Sequence, residues 1–289
     1  MNPQEIDQEI YDLYDEYCHG KIDRREFLAR AALVPLGLAM AQALLPRYAE
    51  AQTISFTDER IRPRYVEYPS PGGLSGDMRG YLVEPTSDGP HPAVLVVHEN
   101  RGLNPYIEDV ARRFAVEGFL ALAPDGLSPV GGYPGNDDDG RALQRSVDQS
   151  QLKQDMLNSA RFVKDHEAST GKLGAVGFCW GGGVCYFLAV TMGSDLAAAV
   201  PFYGAPPALE DVPKIETPLL VQSAEEDPRI NARWPDFEAA LQAHEVPYER
   251  HLYPGTRHGF HNNSTPRHDE AAAQLAWERT IAFFRTHLS

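Results

Sequence analysis

Cysteine is scarce. Cys18, Cys179 and Cys185 are the three in 289 residues, too few for a disulfide-built fold. Cys179 and Cys185 fall at the start of one expected helix and in its second turn. At about 1.5 Å per residue they stand roughly 9 Å apart, beyond disulfide reach. Positive charge is short as well. Lys and Arg number 26 against 41 acidic residues, a formal net charge of −15, so no basic face is at hand for nucleic acid. The acidity otherwise bears mainly on solubility. No internal repeat is visible, and no cluster of metal ligands or cofactor motif, so neither metal nor cofactor is implied. What is plentiful is apolar sequence, 43%, punctuated by 24 Gly and 23 Pro. That composition supports a sizeable core with many tight connections.

The first fifty residues read differently from the rest. Lys21 to Arg30 is charged and carries the pair Arg24-Arg25 ahead of Phe27-Leu28; an uncharged apolar run continues from Ala31 to Leu45. Ala49-Glu50-Ala51 then offers a small-x-small cleavage site. This is the pattern of an export signal, similar to the twin-arginine type, which implies a periplasmic product. The run is shorter than the roughly 20 residues of a membrane span. Against this, the segment before the arginines is acidic, and Ile6, Ile10, Leu13 and Tyr17 recur at helical spacing. A retained amphipathic helix on a cytoplasmic protein is the alternative. Residues 1–51 are therefore set apart from a catalytic domain over 52–289.

Within that domain short apolar runs alternate with amphipathic ones. Ala93–His98, Phe119–Pro124, Leu173–Phe178, Ala197–Tyr203, Pro218–Gln222 and Tyr248–Tyr253 read as strands covered on both faces. Pro105–Glu117, Arg145–Glu167, Gly182–Met192, Trp234–Ala243 and Asp269–His287 read as helices, the last with a stripe of Ala272, Leu275, Ala276, Ile281 and Phe284. Such alternation predicts an α/β fold with a mainly parallel sheet and helices on both faces. Tyr65–Glu67 and Gly80–Glu84 suggest an antiparallel edge hairpin. Ser128–Arg141 reads as a polar, solvated loop and a candidate lid, with Asp137-Asp138-Asp139 at its tip.

Gly177-Phe178-Cys179-Trp180-Gly181 lies between a strand and a helix, the setting of a nucleophile elbow with Cys in place of the commoner Ser. Side chains at Gly177 or Gly181 would collide where strand and helix cross. The helix start should favour a thiolate at Cys179; Cys185 reads as core. The later part of the chain supplies partners in the order the elbow requires. Asp227 comes after one later strand and His258 after the next, as acid and base. Glu225, Glu226 and Asp236 are rivals to Asp227, and His261 reads as a surface residue. The loop His98-Glu99-Asn100-Arg101-Gly102 leaves the first parallel strand. The amides of Asn100 and Trp180 are the expected oxyanion donors, and Trp180 is either an acyl-pocket wall or packing.

Taken together, Glu99, the Gly-x-Cys-x-Gly elbow, Asp227 and His258-Gly259-Phe260 resemble the dienelactone hydrolase family of the α/β-hydrolase superfamily. The likeness runs from about Tyr65 onward. It implies an ester or lactone hydrolase acting on a small molecule, with Glu99 hydrogen-bonded to the resting thiol. The family's carboxylate-gripping Arg, four residues after the histidine, is replaced here by Asn262. A second cationic position falls to Arg141 or Arg145. These three are the substrate-binding candidates, and a neutral Asn cannot make Arg's bidentate pair with a carboxylate.

Overall fold

Residues whose apolar runs demand cover on two faces assemble into one sheet. The computed structural model describes residues 8–18, 22, 24–43, 51–74 and 76–289. The strands are β1 (Ile61–Ser70), β2 (Gly76–Pro85), β3 (His91–Val97), β4 (Leu120–Pro124), β5 (Ser169–Phe178), β6 (Ala198–Phe202), β7 (Leu219–Glu226) and β8 (Tyr248–Arg257). Their order across the sheet is β1-β2-β4-β3-β5-β6-β7-β8. The β1–β2 hairpin is antiparallel and forms one edge; β2 is also antiparallel to β4, and every later neighbour is parallel. The expected α/β-hydrolase architecture is what the chain adopts.

Alternation along β3 shows why the run is apolar throughout. Ala93, Leu95 and Val97 enter one core layer, while Val94 and Val96 enter the other. The first layer is covered by α6 (Gln149–Lys164), α7 (Trp180–Met192) and α9 (Trp234–Ala243), and the second by α4 (Pro105–Val116) and α10 (Glu270–His287). Because β3, β5, β7 and β8 run in parallel, the loops holding Glu99, Cys179, Asp227 and His258 leave the sheet at the same edge. Ligand sites of open parallel sheets form at this edge.

Three local expectations change. The helix expected over Arg145–Glu167 begins later, as α6, and its first two residues instead end a separate helix, α5 (Asp137–Ser146), because Asp148 accepts from the amides of Ser150 and Gln151 and caps a new start. The acidic run is not a solvated loop tip but the first turn of α5. Asn136 caps it, carboxylates suit a helix N-terminus, and Asp137 is buried. In α10 Leu275 is 42% exposed and the stripe runs instead through Ala273, Ala276, Thr280, Ile281 and Phe284.

Ahead of the sheet lie α1 (Gln8–Cys18), α2 (Arg24–Ala31) and α3 (Gly37–Ala43). Ile10, Tyr14, Tyr17, Ile22, Phe27, Ala31 and Ala41 give them a small core of their own. Ile6, Ala49 and Glu50 fall outside the described residues. From Ala51 the chain is tied to the domain. Asn263 Nδ2 donates to the Ala51 carbonyl at 2.8 Å, and the amides of Thr53 and Ile54 donate to Asp109 Oδ1 at 2.9 and 2.8 Å.

Candidate active site

The turn from β5 into α7 holds Cys179 at φ 56°, ψ −110°, a left-handed conformation that a non-glycine residue keeps only under constraint. The constraint is close packing. A Cβ at Gly177 would stand 2.1 Å from the Gly181 carbonyl oxygen, and one at Gly181 would stand 2.4 and 2.6 Å from the oxygens of Val97 and His98. Cys179 N donates to the Phe202 carbonyl at 3.1 Å, fixing the turn to β6. Cys185 is buried in the core below, as its position on the helix predicts.

Asp227 follows β7 and caps α8 (Pro228–Asn231). Its Oδ2 lies 2.5 Å from His258 Nδ1. Both groups are buried, and a carboxylate on Nδ1 holds the proton there and leaves Nε2 as the basic nitrogen. Burial works against the Asp227 charge, but the hydrogen bond and charge of His258, with Arg229 nearby, outweigh it and hold the carboxyl low. The rivals stand elsewhere. Glu225 accepts from the Gly255 amide, Glu226 pairs with Arg257, and all three of Glu225, Glu226 and Asp236 are exposed.

Glu99 is buried beside Cys179. Its Oε2 accepts from Asn262 Nδ2 at 2.9 Å and lies 3.5 Å from Arg101 Nη2. Arg101 in turn donates through Nη1 to Asp137 Oδ2 at 2.6 Å. The preceding residue organises this loop. Gly126 N donates to His98 Nε2 at 3.3 Å, so Nδ1 carries the proton and donates to the Glu99 carbonyl at 2.6 Å. Burial pushes His98 down to about 4, so it is neutral, and its ring stacks on Trp180 at 5.2 Å.

These surroundings oppose the thiolate that the helix start favours. Burial drives the Cys179 thiol up to about 12, and the charge of Glu99 adds to the rise. Arg101, Arg229 and the hydrogen bond from the Trp180 amide act the other way and are outweighed. About half a charge at a helix N-terminus does not offset desolvation of sulfur next to a carboxylate. Burial and the Glu99 charge therefore favour the protonated thiol.

Two spaces meet at Cys179. A cleft of about 690 Å³ is lined by Asn100, Cys179, Trp180, Phe187 and Tyr203, and also by Lys153, Arg229 and Arg233. On the other side a pocket of about 20 Å³ is bounded by Glu99, Arg101, Cys179, His258, Asn262 and Tyr14. Asn262 thus reaches the site, but its amide serves Glu99 rather than the cleft. Arg141 does not line the cleft: it is buried on α5, paired with Asp138 at 2.5 Å and stacked over Tyr17 at 4.0 Å. Arg145 is exposed on the last turn of α5, outside both spaces. His261 is not at the surface. The Gly259-Phe260 turn carries it inward, where Tyr106 Oη is 2.7 Å from Nδ1 and its ring stacks on Phe178. No sequence motif singles out Arg101, His98, Tyr203 or Arg229; for the first two the available signal is their place beside Glu99.

A family model described as "Dienelactone hydrolase family" matches residues 78–288, and one described as "YqhI-like" matches residues 1–34. Over 112 residues the chain is 63% identical to the "Putative hydrolase fragment YghX" of Escherichia coli (strain K12), a match covering 38% of this chain and 95% of that protein. Over 246 residues it is 31% identical to a "Putative carboxymethylenebutenolidase" of Saccharolobus solfataricus, covering 72% of this chain and 93% of that one. The crystal structure of a "Putative Dienelactone Hydrolase" from Klebsiella pneumoniae subsp. pneumoniae MGH 78578 matches with a TM-score of 0.67 at 27% identity, covering 77% of this chain and 99% of that chain.

Proposed function

The chain belongs to the dienelactone hydrolase family, and from that premise we propose that it opens enol-lactones or cleaves small esters through an acyl-thioester on Cys179. A hydrolase of esters or lactones is what the family gives; the residues and the intermediate are our reading. The observation that carries it is the 2.5 Å Asp227–His258 contact, with His258 and the strained Cys179 bounding one pocket.

The chemistry starts from a thiol. As Sγ attacks the substrate carbonyl, His258 Nε2 takes the thiol proton and Asp227 stabilises the imidazolium. The new S–C bond forms while the carbonyl electrons move onto oxygen, which the amides of Trp180 and Asn100 receive. Each such donor contributes about 3 kcal/mol. Collapse of the tetrahedral species breaks the C–O bond, and the imidazolium protonates the leaving oxygen, which in a lactone stays tethered to the product. Water then attacks the thioester, His258 accepts its proton, and sulfur leaves to be reprotonated. Glu99 keeps sulfur protonated until substrate arrives.

The cleft also bears on substrate charge. Among the described residues Lys153, Arg229 and Arg233 line it against one carboxylate, Asp211, so a carboxylate on the substrate has cationic partners although Asn262 is neutral. Export rests on Arg24-Arg25, the apolar run after it and Ala49-Glu50-Ala51; we propose a periplasmic product on that pattern.

The test is Cys179→Ala against a panel of dienelactone, neutral lactones and p-nitrophenyl esters. The variant should lose at least about 10⁴-fold in kcat, and rapid quenching of the natural enzyme should trap an acyl mass adduct on the Cys179 peptide. Full esterase activity in Cys179→Ala rules the mechanism out.

A further inference from the structure

Tyr14 is far from the catalytic residues in sequence, yet it bounds the pocket formed by Glu99, Cys179, His258 and Asn262. Its side chain is 1% exposed. Two contacts clamp α1 over the site. Arg267 lies over the Tyr14 ring at 4.6 Å and donates through Nη1 to the His258 carbonyl at 3.0 Å. Arg141 lies over the Tyr17 ring at 4.0 Å, and its helix, α5, also carries the Asp137 that holds Arg101 against Glu99. Stacking of a guanidinium on a ring is attractive and strengthens as water is excluded. The ring is not a loose end, because α1, α2 and α3 share a core that includes Tyr14 itself.

The space beneath Tyr14 is about 20 Å³, room for one water, which needs roughly 10–15 Å³ and polar partners. The partners are there in Glu99, Arg101, Asn262 and His258. An acyl substituent does not fit. We propose that Tyr14 is a specificity-determining residue supplied by the N-terminal helices: it closes the Glu99–His258 side of the nucleophile to a water-sized chamber and confines the substrate to the Trp180–Phe187 side. This rests on the reading of Cys179 as the nucleophile of an ester hydrolase. The chamber keeps the hydrolytic water against His258 while the acyl group occupies the cleft.

The experiment uses the full chain, with Tyr14→Ala and Tyr14→Phe. Opening the chamber admits bulk on the wrong side, so Tyr14→Ala should raise kcat/KM for p-nitrophenyl pivalate relative to the acetate by about tenfold. Tyr14→Phe keeps the ring and should hold the natural ratio. A second readout needs no hydrolysis: labelling of the Cys179 peptide, followed by mass spectrometry, with iodoacetamide and with a bulky maleimide. Tyr14→Ala should speed the maleimide several-fold more than iodoacetamide. If the two reagents and the two esters keep their natural ratios in Tyr14→Ala, Tyr14 closes nothing. If the labelling ratio shifts but no ester or lactone is turned over by any form, the closure stands and the hydrolase reading falls.

Discussion

At Cys179 two electrostatic influences oppose one another, and the unfavourable one for a thiolate wins. The helix start and the Trp180 amide favour negative sulfur, while burial and Glu99 disfavour it, leaving the thiol near 12. A protonated Cys179 is shielded from adventitious oxidation, which attacks the thiolate. It also assigns Glu99 a sign that can be tested. Replacing Glu99 with Gln removes a negative charge but leaves Arg101 in place, so the thiol should titrate lower than in the natural protein. The rate of iodoacetamide labelling at the Cys179 peptide, followed against pH, should reach its half-maximum at a lower pH in Glu99→Gln. A half-maximum that stays put or moves up means the carboxylate does not act on sulfur through its charge. Glu99 itself is legible in the sequence through the family likeness, whereas its partner Asn262 lies 163 residues away. An offset from the histidine suggests a substrate ligand there; only the fold shows that the amide is spent on Glu99.

At the scale of elements, the Cys179 turn depends on β3, β5 and α7 approaching more closely than side chains allow. The glycines of the elbow are not equivalent to their neighbours on α7. A Cβ at Gly181 meets two backbone oxygens at 2.4 and 2.6 Å, while one at Gly183 meets its nearest neighbour, the Ala205 oxygen, at 3.6 Å. Backbone cannot yield as a flexible side chain can, so Gly181→Ala should cost at least about 2 kcal/mol. Gly183→Ala, in a helix interior with ordinary contact distances, should be neutral or stabilising by up to about 1 kcal/mol. Urea unfolding midpoints of the two variants decide it; equal midpoints would mean that the elbow is not under the packing constraint described. Strands and helices are legible because each is an apolar run of the right period. The boundary between α5 and α6 is hidden because periodicity continues across Val147-Asp148, and only the capping bonds of Asp148 mark the break. The acidic run misleads for a related reason. Asp137 looks solvated in sequence, and its burial depends on Arg101, 36 residues earlier.

For the whole molecule, the contact least visible in sequence is the one that joins its two ends, Tyr14 with Arg267. The same N-terminal residues carry the pattern on which export is proposed, and the two proposed roles are compatible if cover and cleavage act in sequence. Beyond Ala51 the chain is held by Asp109, by Arg112 Nε on the Ile54 carbonyl at 2.7 Å, and by Arg113 on the Thr53 hydroxyl at 2.6 Å. Cleavage after Ala51 leaves those anchors on the domain and removes α1, α2 and α3 together with their shared core. Protein recovered from the periplasm should therefore begin at Gln52 by N-terminal sequencing. It should also discriminate between pivalate and acetate esters as Tyr14→Ala does, because it too lacks the ring over the Glu99–His258 chamber. A periplasmic chain that begins at Met1 would sink the cleavage, and the N-terminal helices would then be a permanent wall of the site.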